Sequence, residues 1–236
     1  MATCPNCGNG LVERAKFCPE CGRAVGARPS TQEFRIVTVV FCDVVKSTDL
    51  ERELDPMPMQ RLLDRYGQAV RRSLADRGAS VGKRHGDGFM AAFGVPELHE
   101  DDALRAVRAA AELRVALDEL AREVRQQRGL EFHVRLGINT GNVLVRDAGT
   151  LEEELTGIPV NLAKRFEEAA GAGEILIGEE TYRLVTDAVK AEPAGSVTVK
   201  GADEPQHVWR LLEVLPDRPG RARRPAAPMV GRGREQ

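Results

Sequence analysis

Phe34-Arg35-Ile36-Val37-Thr38-Val39-Val40-Phe41-Cys42-Asp43 is the stretch on which the reading of this chain turns. β-branched and aromatic residues dominate it, no glycine or proline interrupts it, and an acid ends it. Such a run is expected to be a central β-strand. Downstream, helical spacing covers residues 50–77, with Pro56 and Pro58 interrupting the helix near its start. Short strands are expected at 79–83 and 89–93, around the turn His85-Gly86-Asp87-Gly88. Glu100-Asp101-Asp102 supplies an acidic start for a long helix to about residue 128. A strand follows at 131–139, and Thr140-Gly141 is expected to turn it back into 142–145.

A helix at 160–170, a strand at 174–177, a short helix near 179–184 and strands near 197–200 and 207–212 complete this block. Its first six elements run strand, helix, strand, strand, helix, strand. That is the βαββαβ order of a ferredoxin-like α+β sandwich. In that topology the first and third strands are antiparallel neighbours at the centre of the sheet. Asp43 and Asp87 are then expected at one sheet edge, although they are distant in sequence.

Composition narrows the field. With 42% hydrophobic and 30% charged residues the chain has the balance of a globular protein. A formal net charge of -2 gives no general reason to expect binding to nucleic acid or a membrane. The longest apolar run, residues 36–42, is too short to span a bilayer. The start, Met1-Ala2-Thr3-Cys4-Pro5, lacks the basic and apolar segments of a secretory signal, so the expected location is the cytoplasm.

Cys4-Pro5-Asn6-Cys7-Gly8 and Cys18-Pro19-Glu20-Cys21-Gly22 are matching knuckles separated by ten residues. In a reducing compartment this spacing points to a zinc ribbon rather than disulfides: one structural Zn²⁺ held by Cys4, Cys7, Cys18 and Cys21. No basic, aromatic surface accompanies it, and a protein partner of unknown kind is expected. Cys42 is read as a buried core residue. The expected organisation is a zinc ribbon at 1–26, a linker at 27–33, the α/β block at 34–215 and a flexible Arg-, Pro- and Gly-rich tail at 216–236.

Two aspartates converging at a sheet edge make a hard oxygen site of the kind Mg²⁺ or Mn²⁺ prefers. Taken alone, Asp43 reads more readily as a helix cap and Asp87 as a turn residue; the pair together points to the metal. Phe41-Cys42-Asp43-Val44-Val45-Lys46-Ser47-Thr48 resembles the first metal-binding segment of class III adenylyl and guanylyl cyclases. Lys83-Arg84-His85-Gly86-Asp87-Gly88-Phe89-Met90-Ala91-Ala92-Phe93 resembles the second. The run Thr156-Gly157-Ile158-Pro159-Val160-Asn161-Leu162-Ala163-Lys164-Arg165 is similar to the family's catalytic helix.

The resemblance implies two Mg²⁺ or Mn²⁺ ions at Asp43 and Asp87. It also implies that Asn161 orients the ribose and that Arg165 stabilises charge on the reacting phosphate. Lys83 and Glu154 fall at the base-reading positions, and Lys83 points to adenine and hence to ATP. Lys200 and Arg135 correspond to contacts with the phosphates. The implied enzyme is a homodimeric adenylate cyclase with its site between subunits; the alternative is a catalytically silent domain that keeps the fold for regulation or nucleotide sensing. Lys46 departs from the family's usual glycine, and Ile158-Pro159 from its usual acidic-plus-small pair. Residues 225–235 resemble the entry to ATPase domains that follow cyclase modules in some bacterial regulators.

Overall fold

The computed structural model describes residues 2–3, 9–11, 18–21, 32–82, 86–146, 151, 155–198, 204–216 and 218. Near the N-terminus, β1 (Ala2–Thr3) pairs antiparallel with β2 (Gly10–Leu11). The rest is built on β3 (Glu33–Val44), whose middle residues, 37–40, are all buried. A strand buried on both faces needs a layer on each side of its sheet, which is why its sequence is almost continuously apolar.

Antiparallel neighbours flank β3: β5 (Phe89–Phe93), from Thr38↔Phe93 to Cys42↔Phe89, and β6 (Val134–Val145), from Glu33↔Val145 to Val44↔Val134. With β4 (Ser80–Val81), β8 (Ile175–Gly178), β9 (Val189–Val197) and β10 (Gln206–Val214), the order across the sheet is β4-β5-β3-β6-β8-β10-β9. The short β7 (Leu155–Thr156) pairs with β6 off this path. The α+β architecture follows the expected strand order.

One face is covered by α2 (Pro56–Ala75) and α3 (Asp102–Arg128). Tyr66, Val70 and Leu74 from α2 meet Val40, Cys42 and Val44, with Phe89, Leu113 and Phe132 closing the cluster. On the other face, under α4 (Ile158–Ala169), lies a smaller cluster that includes Val37, Val39, Met90, Ala92, Val143 and Ala163. A short α1 (Ser47–Glu53) leaves β3, and α5 (Glu179–Val185) follows β8. Pro56 starts α2 afresh at its first turn, so the helical stretch is interrupted near its start, as expected, and forms two helices. Gly129, with φ 70°, ends α3 in the left-handed conformation common at helix C-termini.

One expectation from sequence fails. β6 does not reverse at Thr140-Gly141; it runs straight through, with Thr140 opposite Thr38 and Gly141 opposite Val37. Gly141 is small because the Pro159 ring lies where a Cβ would project. Thr140 is polar because its hydroxyl bonds both Thr38, at 2.9 Å, and Thr181, at 3.0 Å, inside the core. A buried hydroxyl chain and a close contact together imitate a turn signal. The strand expected at 197–200 corresponds, among the described residues, to β9, which begins at Val189 and ends at Val197; residues 199 and 200 lie outside them. Pro193 and Gly195 hide it in the sequence, and a proline in a strand is tolerated here because β9 is the sheet's edge.

Candidate active site

The site grows out of the period of two along β3. Val40, Cys42 and Val44 point into the two-helix core, so Asp43 emerges on the opposite face, toward α4. Cys42 pairs with Phe89 across the ladder, which brings the 86–88 turn carrying Asp87 beside Asp43. Their proximity has an electrostatic consequence. The Asp43 carboxyl is pushed above its ordinary range, first by burial and then by the charges of Asp87 and Glu167, with Lys164 and Arg135 pulling the other way. Converging carboxylates favour a cation between them.

Cys42 belongs to the core. Its Sγ accepts a hydrogen bond from Tyr66 Oη at 3.4 Å, and burial pushes its thiol up to about 12. Reactivity of a thiol follows the thiolate, so Cys42 is inert at neutral pH.

The opposite wall of the edge is α4, held unusually close to the sheet. A Cβ at Gly137 on β6 would run into the backbone of Ala163 and Glu167. Asn139 Nδ2 donates to the Pro159 carbonyl at 3.2 Å and fixes the helix start. Leu162, Ala163, Phe166 and Glu167 form the buried side of α4; Asn161, Arg165 and Glu168 form the exposed side. Arg165 bonds Glu168 at 2.6 Å on that outer side.

Arg135, directly opposite Asp43 in the ladder, reaches three acceptors. Its Nη2 lies 3.5 Å from Asp43 Oδ2, its Nη1 donates to the Glu168 carbonyl at 3.1 Å, and its Nε is 2.6 Å from Glu167 Oε1. The last contact is off the line of the N–H and is Coulombic rather than a hydrogen bond. Lys164 also pairs with Glu167 and sits 5.8 Å from the centre of the Phe41 ring.

Of the residues singled out from sequence, Asp43, Asp87 and Arg135 come together at one edge. Asn161 and Arg165 share one helix face, turned outward. Lys83, Glu154, Lys200, Cys4 and Cys7 lie outside the described residues. Cys18 is buried and Cys21 exposed. Lys164 and Glu167 were not anticipated. The available signal was an acid inside the apolar stripe Ala163, Phe166, Glu167, Ala170, where a helix facing a sheet ordinarily carries none.

Among the described residues no group of three or more His, Cys, Asp and Glu side chains is arranged to hold a metal ion. The Asp43–Asp87 edge nevertheless fits a hard divalent cation, because Mg²⁺ takes one or two carboxylates and completes its shell with water and phosphate. The donor set Cys4, Cys7, Cys18 and Cys21 fits Zn²⁺ by its chemistry.

The fold and this site define a nucleotidyl cyclase domain. Residues 30–212 match the adenylate and guanylate cyclase catalytic domain, and residues 3–25 a zinc-ribbon domain. The chain belongs to the adenylate and guanylate cyclase family. It is similar to an adenylate cyclase of Mycobacterium tuberculosis, 28% identical over 177 residues, which are 74% of this chain and 39% of the relative. Among solved structures, the adenylyl cyclase CyaB from P. aeruginosa superposes with a TM-score of 0.73 at 31% identity, covering 79% of this chain and 98% of that one. The guanylyl cyclase Cya2 gives 0.72 at 28% identity, covering 78% and 95%. The chain spans well under half the length of the curated relatives it matches. Among the described residues no helix is long and apolar enough to cross a membrane.

Proposed function

We propose that the chain converts ATP to 3′,5′-cyclic AMP and pyrophosphate as a homodimer, each active site being shared between two subunits. The observation that carries this reading is the division of α4. Glu167, beside Arg135 and Asp43, and Arg165 are two residues apart, about 200° around the helix. Arg165 and Asn161 therefore face away from their own Asp43–Asp87 edge and serve the edge of a second chain. An isologous pair of such chains has two complete sites, and one chain has none.

In this reading Asp43 and Asp87 hold divalent cations, which when bound would neutralise the triphosphate and acidify the ribose 3′-hydroxyl. The 3′-oxygen forms the new bond to the α-phosphorus as the bond to pyrophosphate breaks, and its proton leaves to water or a phosphate oxygen. Asn161 of the second chain orients the ribose. Arg165 holds the charge that grows on the reacting phosphate, a task suited to a permanent cation with a planar fork of donors. Arg135 and Lys200 hold the outer phosphates, and Lys83 and Glu154 read the base. The four cysteines of the ribbon hold one structural Zn²⁺. Domain limits at 1–26, 27–33, 34–215 and 216–236 accompany the proposal.

The test is complementation. Asp43→Ala and Arg165→Ala chains are each expected to be inactive with Mn²⁺ and ATP. Mixed one to one, they should recover about a quarter of the wild-type rate, from the one intact site of each mixed dimer. Wild-type activity without recovery on mixing would overturn the shared site. GTP used as well as ATP would overturn the assignment of substrate. No product from either nucleotide would leave the domain as a non-catalytic member of its family.

A further inference from the structure

We propose that Lys164 is a positioning residue for the metal edge of its own subunit: its ammonium, fixed by Glu167, keeps the affinity of Asp43 and Asp87 for a free divalent cation low and reserves the edge for a cation carried on a polyphosphate. This inference rests on the cyclase reading, and it concerns the side of α4 which that reading leaves without a role.

The first ground is geometric. Lys164 is 40% exposed and could extend into water. Instead its ammonium lies over the Phe41 ring, 5.8 Å from the centroid, and pairs with Glu167, two contacts that hold it on the β3 side of α4. Phe41 and Asp43 lie on the same face of β3, two residues apart. The charge of Lys164 is felt at Asp43, where it opposes the effect of burial.

The second ground is Glu167. Its side chain is 0% exposed. A carboxylate is retained in such a place only with cations against it, and here two are present, Arg135 and Lys164. The backbone of Glu167 is pressed onto Gly137 of β6, so the carboxylate cannot follow a wandering partner. It is a fixed post that holds both cations beside the edge.

The third ground is charge balance. Asp43, Asp87 and Glu167 contribute three negative charges; Arg135 and Lys164 return two, leaving one negative charge in the cluster. A bare pair of aspartates would be neutralised by one divalent ion. This cluster would be driven positive by it, and only an anionic companion restores the balance. A triphosphate is such a companion. Lys164 then changes partner effect rather than position, repelling a lone cation and attracting the phosphates that arrive with one.

The experiment compares Mn²⁺ binding by the full, zinc-loaded chain in the absence of nucleotide, with unbound Mn²⁺ counted by its electron paramagnetic resonance signal. The Asp43→Asn chain serves as the blank. In Lys164→Met a long unbranched apolar side chain is kept and the charge over Phe41 is removed. Its Mn²⁺ dissociation constant is expected to fall about 3- to 10-fold, the effect of deleting one charge near a divalent ion in a partly solvated site. Its KM for the Mn²⁺–nucleotide complex should rise while kcat moves less. Lys164→Arg should keep wild-type values, and Lys190→Met, which removes a charge on the distant edge strand, should change neither.

Unchanged or weaker Mn²⁺ binding by a folded Lys164→Met chain overturns the proposal, as does binding undetectable in both it and wild type. Equal behaviour of Lys164→Met and Lys164→Arg overturns it too, because charge would then not be the cause. Tighter Mn²⁺ binding by Lys164→Met in a protein that forms no cyclic nucleotide keeps the edge and overturns the cyclase reading alone.

Discussion

Along β3, Val40, Cys42 and Val44 lie under α2 and α3, while one residue out of phase Val37, Val39 and Asp43 lie under α4. The first face is closed by large apolar side chains: Tyr66 meets Phe89 and Phe132 edge to face at 5.4 and 6.2 Å, with Leu74 and Leu113 fully buried around them. The second face is thin. It has small residues such as Ala92 and Ala163, a glycine that admits the helix backbone, and a chain of charges from Asp43 through Arg135 and Glu167 to Lys164. The same strands thus carry apolar packing on one side and a cluster of charges on the other. A period of two makes the division possible, because adjacent side chains point to opposite faces and alternate ones share a face.

If that division is real, the largest effect on stability should come from the first face and leave the site alone. Leu74→Ala removes a fully buried side chain from α2 and should cost about 2–5 kcal/mol in denaturant unfolding. Nucleotide cyclisation per folded molecule should hold at its wild-type value. A parallel loss of activity in the folded fraction would mean that the two layers are mechanically coupled through β3.

A smaller cost to stability, with a larger cost to function, is expected at Gly137. Its replacement by alanine drives a methyl group into the backbone of Ala163 and Glu167 and must lift α4 from β6. Overpacking of this kind costs about 1–3 kcal/mol. Unlike Leu74→Ala, it moves Glu167 and with it the placement of Arg135 and Lys164, so both Mn²⁺ binding and the rate of the folded protein should change. Equal loss of stability with untouched activity would show that the fit of α4 onto the sheet does not set the site.

The same contrast explains what could be read from the sequence. The two-helix face obeys simple periodicities, and β3, β5, α3 and the convergence of Asp43 with Asp87 follow from apolar runs and strand order. The α4 face is built from exceptions. Gly141 and Thr140 look like a turn but serve a ring contact and a hydroxyl chain. Glu167 looks like one more surface acid on a charged helix and is wholly buried. Each of these residues takes its meaning from a partner on another element, Pro159, Thr38, Thr181, Arg135, and no local window contains both members of such a pair. Asn161 and Arg165 were legible as a pair, since their spacing puts them on one helix face. The inward-facing Lys164 and Glu167, although paired with each other, were not, because the Arg135 and Phe41 they meet lie on β6 and β3.

The smallest expected effect concerns the turn between β3 and α1. Lys46 adopts φ 54° and ψ 42°, the left-handed region, and stands as the cap of α1, its carbonyl accepting from Asp49 N at 3.0 Å. A side chain in that region costs roughly 1–2 kcal/mol, which glycine avoids while losing about 0.5–1 kcal/mol of chain entropy on folding. Lys46→Gly should therefore raise stability by up to about 1 kcal/mol, and Lys46→Ala, which keeps the backbone penalty, should not. The pair of variants separates strain from charge. If the ammonium aids the reaction, both lose activity, although only the glycine gains stability. If the glycine variant alone is faster, the conformation of the loop limits the site, and the left-handed lysine is a brake that the backbone, not the charge, applies.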